Sequence, residues 1–351
     1  MVEAHGAGVE GKRPDDYGPM WERRNAVKIP RAEVTFGLLQ RRTVVVSVYC
    51  CITLLLAAQQ PEGKITSEAP EVIQSFNDPQ QAATALIEAA DRFDVPTLIH
   101  IFGPNNADIV LTGEYSRDRQ RATDFASEAR EKRSVSLEPK NGNRAFLLIG
   151  NENWPFPVPI VKKNNRWVFD AQAGRQEILY RRIGYNELAV IDICHRYVEA
   201  QNDYAYRKRA GYEVHQYAQQ IISSPGKQDG LAWRNSDGTW GGPLGEHVAR
   251  AIVQGYESDA EPYHGYFFKI LKGQGPAAPL GQLDFVVEGV MIGGFALAAT
   301  PAEYRATGVK TFIVSHSGIV YQKDLGPTSF EVFRNMERYN PDKSWTPVQE
   351  N

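Results

Sequence analysis

The chain has 351 residues, of which 39 are Lys or Arg and 42 are Asp or Glu, so its net charge at neutral pH is −3. Nucleic-acid binding requires a basic face, and a mildly acidic chain is therefore not expected to have a nucleic-acid partner. Three cysteines are too few for a disulfide framework. The length is sufficient for two domains, each with a hydrophobic core of its own.

The first informative segment is an uncharged run, residues 43–58, which begins at Thr43, ends at Ala58 and follows Arg41 and Arg42. An apolar run behind a basic flank is typical of an export signal, and this run is shorter than the roughly 18 to 20 residues of a spanning helix. We expect cleavage after Ala58 and a periplasmic or secreted protein. Because Leu56 is large for a cleavage site, the alternative is an inner-membrane anchor with the main part in the periplasm and membrane contact only through this run.

Removal of this segment would change the chemistry of the remaining chain. Residues 1–58, the N-terminal extension and signal segment, hold eight basic and six acidic residues, so the remainder has a net charge of −5. They also hold Cys50 and Cys51, which leaves only Cys194 and hence no internal disulfide. Residues 59–75 are polar and contain two prolines, which predicts a linker.

Residues 76–175 are predicted to form an α+β domain with helices first and an antiparallel sheet afterwards. Asp78 can cap a helix that has Pro79 at its first position. A short helix is expected over residues 97–102 and a charged helix over residues 118–132. Strands are predicted over residues 134–138, 144–149, 157–162 and 166–170.

The opening helices, AATALIEAADRFDVPTLIHIF, and the closing strand, RWVFD, resemble the nuclear transport factor 2 (NTF2-like) superfamily over residues 76–172. The resemblance implies a cone in which helices pack into a curved sheet around a pocket. In catalytic relatives that pocket presents an Asp and a His to a small apolar substrate. Here His100 and Asp108 are the nearest residues, although a His among apolar neighbours is more often structural.

An aromatic, proline-rich segment, NWPFPVPIVKKNNRWVFD, precedes the end of this domain. Proline holds the backbone extended, so Trp154, Phe156 and Trp167 are candidate ligand-binding residues that could form a stacking platform. The alternative is that these rings close the core beside an edge strand.

Residues 176–351 are predicted to form a second domain, in which a helical connector leads to an antiparallel sheet that packs on a helix. The helix is expected over residues 177–205, with Leu188, Ile191 and Val198 on its apolar face. Beyond it, residues 221–244 are rich in turn formers and a short helix is expected over residues 245–255. Strands are predicted over residues 266–271, 284–287, 294–299, 310–314 and 319–322.

Asp192, His195 and Glu199 share one face of the predicted helix and are the candidate metal ligands of this chain. Three ligands from one helix rarely suffice, and ion pairing with Arg196 is the commoner role for such carboxylates. No metal or other cofactor is therefore expected.

The piece FALAATPAEYRATGVKTFIVSHSGIVYQKD resembles the sheet of pilin-like domains, with residues 186–205 as the long helix beneath it. Just before this sheet, Tyr263, His264 and Tyr266 form a polar and aromatic cluster that could bind a ligand. Its alternative interpretation is an ordinary strand entry with one buried and one exposed tyrosine.

Short catalytic motifs do not meet their structural requirements in this chain. Ser224 and Lys227 have the Ser-x-x-Lys spacing of penicillin-recognising enzymes, and Lys310 begins a partial third motif, but Pro225 and Gly226 disfavour the helix that the nucleophile should open. An enzyme is therefore less expected than a non-enzymatic protein.

Four long blocks, WPFPVPIVKKNNRWVFDA, RRIGYNELAVIDICHRYVEAQNDYA, PYHGYFFKIL with GQGPAAP, and VMIGGFALAATPAEYRATGVKTFIVSHSGIVYQKDLG, resemble the uncharacterised bacterial family DUF2950 over residues 75–348. The resemblance implies an exported envelope protein. It implies no particular activity, because none is assigned to this family. The sequence thus predicts a non-enzymatic protein that binds an unknown small ligand or an envelope protein. An enzyme of unrecognised type that acts on an envelope polymer is the alternative.

Overall fold

A computed structural model describes residues 73–140, 142–207, 213–245, 262 and 264–349. The signal run, nearly all of the linker, Tyr263 and the expected helix at residues 245–255, apart from its first residue, lie outside these ranges. The described chain combines α-helices with open antiparallel sheets, which confirms the α+β class. It divides into two compact units between Ala171 and Gln172, called here the N-terminal and C-terminal domains. No helix in the described ranges is long and apolar enough to cross a membrane.

The N-terminal domain begins with three helices, α1 (Pro79–Arg92), α2 (Val95–Phe102) and α3 (Tyr115–Glu131), with a 3-10 turn at Pro104–Ile109. The predicted cap of α1 is confirmed, because an Asp78 carboxylate oxygen accepts the Gln81 N–H at 2.7 Å. Asp94 caps α2 in the same way. These carboxylates satisfy backbone donors that the first helical turn leaves without partners.

A five-stranded antiparallel sheet follows, in the order β1-β2-β4-β5 with β3 paired to β2. Alternate residues of β2, namely Ala145, Leu147 and Ile149, are buried against the helices, and the helices therefore cover one face of the sheet. The predicted strand at 157–162 begins only at residue 160, since prolines at 157 and 159 cannot donate to the ladder. The strands are β1 (Arg133–Leu137), β2 (Arg144–Ile149), β3 (Trp154–Pro155), β4 (Ile160–Lys163) and β5 (Arg166–Phe169).

The helix α4 (Ala171–Tyr206) runs into the C-terminal domain and supplies one side of its core. Val190, Ile193 and Tyr197 are buried against the sheet, and the Tyr197 ring packs edge-on against Phe295 with centroids 5.6 Å apart. The predicted apolar face was partly wrong, because Leu188 is 69% exposed. Helical spacing alone allowed the stripe that contains Leu188 or the stripe that contains Tyr197 to face the core. Packing against the sheet buries the stripe that contains Tyr197.

The main sheet of the C-terminal domain is antiparallel, in the order β16-β15-β14-β13-β8. Three two-stranded pairs accompany it, β6 with β7, β9 with β10, and β11 with β12, and α5 (Ser329–Asn335) follows a 3-10 turn at Gly326–Thr328. The strands are β6 (Trp233–Arg234), β7 (Trp240–Gly241), β8 (Tyr266–Leu271), β9 (Gly273–Gln274), β10 (Leu283–Asp284), β11 (Val286–Val287), β12 (Val290–Met291), β13 (Ala296–Pro301), β14 (Lys310–Ser315), β15 (Val320–Asp324) and β16 (Thr346–Pro347).

Two predictions for this domain need correction. The segment expected to be loop from 221 to 244 contains the β6–β7 pair, in which Arg234 lies over the Trp240 ring at 4.3 Å. The strand expected at 284–287 is interrupted at Phe285, whose side chain is fully buried in the core of this domain. Both features depend on the packing of aromatic rings, which the composition of the turns does not predict.

Candidate functional site

A cleft of about 460 Å³ lies in the C-terminal domain between α4 and the turn that joins β14 to β15. We call it the α4 cleft. One helical side chain, three turn residues and two β-branched residues form its walls: His195, Ser317, Gly318, Ile319, Val320 and Val348. Its volume is in the range of small-molecule sites, and its lining mixes polar and apolar groups.

The turn side of the α4 cleft is built by local hydrogen bonds. Gly318 has a φ of +77° and donates its N–H to the Ser315 carbonyl at 2.9 Å, which closes the turn. The hydroxyls of Ser315 and Ser317 lie 3.2 Å apart. On the far wall, Val348 donates its N–H to the Val320 carbonyl at 2.8 Å. The walls are therefore held by backbone contacts and do not depend on a ligand.

The α4 side of the cleft presents His195, while its neighbour Cys194 points into the core. The Cys194 side chain is fully buried, and this burial raises the pKa of its thiol to about 12. The thiol is thus inert at neutral pH, and among the lining residues of the cleft His195 is the one that carries an imidazole.

Behind the turn, the Tyr339 ring is buried next to β14 and β15. Burial raises the pKa of the Tyr339 phenol, and the Ser315 hydroxyl partly offsets this effect. The Tyr339 and Tyr321 rings meet edge to face with centroids 6.4 Å apart. This packing gives the turn a rigid base.

The candidate metal ligands do not form a metal centre. In the residues that the structure describes, no group of three or more His, Cys, Asp or Glu side chains is arranged to hold a metal ion. An Asp192 carboxylate oxygen accepts from Arg196 Nε at 2.7 Å, and this bond raises the pKa of the Arg196 guanidinium. Glu199 lies with Arg196 on a smaller cleft of about 230 Å³. Asp192 and Arg196 thus form the ion pair that the sequence offered as the alternative to a metal site.

The aromatic residues of the N-terminal domain lie in or beside its core. Trp167 is only 6% exposed, and Phe156 packs against Phe125 and Phe169 with ring centroids 5.1 Å and 6.4 Å away. Trp154 is partly buried against the same cluster. These contacts match the interpretation of rings that close the core.

His100 and Asp108, the residues nearest to the catalytic pair of the NTF2-like resemblance, are both exposed on the surface of this domain. A buried Asp and His pair facing a shared cavity would be needed for that chemistry. Their position instead agrees with a structural or solvated role.

The aromatic cluster predicted at the start of β8 is divided by the structure. Tyr266 is fully buried, and its hydroxyl donates to the Lys310 carbonyl at 2.9 Å. Burial, together with the Glu187 carboxylate, raises the pKa of the Tyr266 phenol well above its usual value. His264 is partly buried and meets the Tyr185 ring at 5.4 Å. Tyr266 is thus a core residue, and Tyr263 lies outside the described residues.

The partial hydrolase motif is not assembled as its chemistry requires. Ser224 opens a turn and not a helix, and its hydroxyl donates to an Asp229 carboxylate oxygen at 2.9 Å. The Ser224 hydroxyl is thus paired with a carboxylate and does not open a helix, which is not the arrangement that makes serine a nucleophile in such enzymes.

The sequence predicted strands at 310–314 and 319–322 but did not connect the residues between them with His195 or Val348. These groups are far apart along the chain, and no motif signals their approach. The only available signal was the break between two β-branched strands at Gly318.

The two domains place this chain in the α+β class. The described residues form an open surface cleft and no recognised catalytic centre. The family model described as "Protein of unknown function (DUF2950)" matches residues 73–348, and the chain belongs to this family. No curated protein and no solved structure matches the chain.

Proposed function

We propose that this chain is an exported protein of the bacterial envelope that binds a small ligand or a short segment of an envelope partner without catalysing a reaction. The observation that carries the proposal is the α4 cleft, an open surface cleft of about 460 Å³ whose walls are held by the protein's own hydrogen bonds. Preformed clefts with a few polar groups on an apolar wall are suited to binding.

The composition of the cleft favours binding over catalysis. Nucleophilic catalysis needs a hydroxyl or thiol paired with a base, and the Ser317 hydroxyl instead interacts with Ser315. The nearby thiol of Cys194 is buried and fully protonated at neutral pH. The His195 imidazole and the Ser317 hydroxyl can each donate or accept a hydrogen bond to a polar group of the ligand, while Val320 and Val348 offer an apolar wall.

Export is the second part of the proposal, and it rests on the uncharged run at residues 43–58 behind two arginines. Cleavage after Ala58 would release both domains into the periplasm or the medium. The inner-membrane anchor is the alternative product of the same segment. Fractionation with N-terminal sequencing distinguishes them, because release predicts a soluble chain that begins at Gln59, whereas an anchor predicts the full-length chain in the membrane pellet.

We further propose that the N-terminal domain is a filled version of the NTF2-like layout and that the C-terminal sheet is a pilin-like layer on α4. Helices precede an antiparallel sheet in the first domain, and in the second the sheet packs on the C-terminal part of α4. Because packed aromatic rings fill the interior of both domains, a ligand would bind at the surface. This agrees with a cleft at the edge of the C-terminal sheet.

Native mass spectrometry of the protein purified from its own cell envelope tests the binding function. Ser317→Trp places an indole in the α4 cleft, and Ser236→Trp, on the exposed β6–β7 turn, is the matched control. We expect a bound mass in the wild type and the control, and at least an about tenfold loss of occupancy in Ser317→Trp. A ligand retained equally by all three proteins, or no ligand in any of them, would overturn the proposed use of the cleft.

A further inference from the structure

The strand β1 is an edge of the N-terminal sheet with one open side. On its inner side it pairs with β2 along its whole length, from Arg133 opposite Ile149 to Leu137 opposite Ala145. Among the described residues, no backbone group pairs with its outer side. The opposite edge of the sheet differs, since Phe76 bridges to Trp167 on β5 through two backbone hydrogen bonds of 2.8 Å and 2.9 Å.

The hydrogen bonds at the two ends of β1 establish which residues face outward. Gly150 donates its N–H to the Lys132 carbonyl at 2.9 Å, and Glu138 donates its N–H to the Arg144 carbonyl at 2.7 Å. Alternate residues of an antiparallel strand turn their N–H and C=O groups to the same side. Residues 132, 134, 136 and 138 therefore face β2, and residues 133, 135 and 137 present three N–H and three C=O groups outward.

These outward groups are complementary to themselves about a two-fold axis at Val135. If two copies of β1 pair antiparallel on this axis, Val135 lies opposite Val135 of the partner subunit, and Arg133 lies opposite Leu137 of the partner subunit. All of these residues face outward, so each opposed pair can exchange hydrogen bonds, and the six donors and six acceptors of the two strands are all satisfied. Any one-residue shift of register would oppose outward groups to inward ones.

The side chains at the ends of the strand fit the same register. The axis that pairs Val135 with itself also places Lys132 opposite Glu138 of the partner subunit. By symmetry it places Glu138 opposite Lys132 of the partner subunit, so the dimer has two such pairs. Opposite charges on directly opposed residues stabilise a strand pair, and like charges destabilise it. Leu137 is 49% exposed at this edge and would lie beside the aliphatic part of Arg133 of the partner subunit.

We propose that a second copy of this chain occupies the outer edge of β1, so that two N-terminal sheets form one continuous sheet across a two-fold axis. The observations that carry this proposal are the open edge, the matching direction of its backbone groups and the Lys132–Glu138 complementarity. Natural sheets protect exposed edges from pairing, and here the charges at the strand ends favour one partner and one register.

Charge reversal on the full-length chain in detergent micelles tests the proposal by sedimentation over about a hundredfold range of protein concentration. Lys132→Glu and Glu138→Lys each place like charges opposite one another twice, and we expect each to raise the dimer Kd about tenfold. The double variant restores both pairs and should restore the wild-type Kd. An equimolar mixture of the two single variants should form heterodimers with near wild-type affinity, because each then meets its complement.

Val135→Pro is an independent test, because the lost N–H faces outward and the ladder to β2 stays intact. The Val135 side chain also packs against the core, so Val135→Ala, which keeps the N–H, is the matched control. The two variants should have the same circular dichroism, while dimer formation is lost in Val135→Pro alone. Should Val135→Pro fold poorly, the charge-reversal series still decides the question. A wild-type chain that is monomeric at every concentration, or a dimer that neither the single reversals nor the mixture alters, would overturn the proposal.

Discussion

Replacement of Glu187 by alanine should selectively destabilise the C-terminal domain. One Glu187 carboxylate oxygen accepts the N–H groups of both Val309, at 2.8 Å, and Lys310, at 2.9 Å, and so connects α4 to the first residue of β14. The preceding loop is held by the same helix, since Asn186 donates to the Thr307 carbonyl at 2.8 Å and Arg182 donates to the Ala306 carbonyl at 3.0 Å. Without the carboxylate, two partly buried donors lose their acceptor.

The expected loss follows from the number and type of these bonds. A hydrogen bond to a charged group contributes about 1.5 to 3 kcal/mol. Glu187 is only partly buried and water can reach the site, so the lower end applies and the two bonds together contribute about 3 kcal/mol. For a domain of this size, that loss lowers the melting temperature by about 6 to 12 °C. Glu187→Gln retains a neutral acceptor and should lose roughly half as much.

Hydrogen exchange and urea unfolding of the full-length chain provide the measurement. Peptides that cover β14 should lose protection in Glu187→Ala, while peptides of the N-terminal domain should not change. Glu303→Ala is the control, because it removes an exposed carboxylate from the loop between β13 and β14. A loss in Glu187→Ala below about 1 kcal/mol, or equal to that of Glu303→Ala, would refute the argument.

Three further predictions concern single side chains. Asp118 is 3% exposed and accepts hydrogen bonds from both the N–H (2.9 Å) and the hydroxyl (2.7 Å) of Thr112. Asp118→Ala should therefore lower the free energy of unfolding in urea by about 3 kcal/mol. A loss under about 1 kcal/mol would contradict this. Because the pKa of Cys194 is about 12, iodoacetamide should label its peptide only after unfolding, and rapid labelling of the native chain at pH 8 would be inconsistent with that pKa. Hydrogen bonds from the Thr97 hydroxyl and N–H lower the pKa of Asp94 below 3.8. The stability that this cap contributes is therefore present above that pH and is lost as the pH falls through the folded-state pKa. Melting curves from about pH 6 to pH 2 should show a shallower acid slope in Asp94→Asn, and identical slopes would disprove the capping effect.

Local structure could be predicted from the sequence because its causes are local. Asp78 followed by Pro79 predicted the start of α1, and the alternation of apolar residues predicted the strands Arg144–Ile149 and Tyr266–Leu271 with their observed bounds. A helix cap or a strand alternation involves residues at most a few positions apart. A short stretch of sequence is therefore enough to predict it. The α+β class follows from the order of these elements.

Tertiary structure decided which of these surfaces are buried and which come together. Helical spacing left two stripes of α4 open, and only contact with the C-terminal sheet buries Tyr197 and exposes Leu188. The α4 cleft joins His195 to Ser317 and Val348, whose separation along the chain is bridged by strand pairing and not by any motif. Long-range packing depends on the free energy of the whole core, so no window of sequence specifies it.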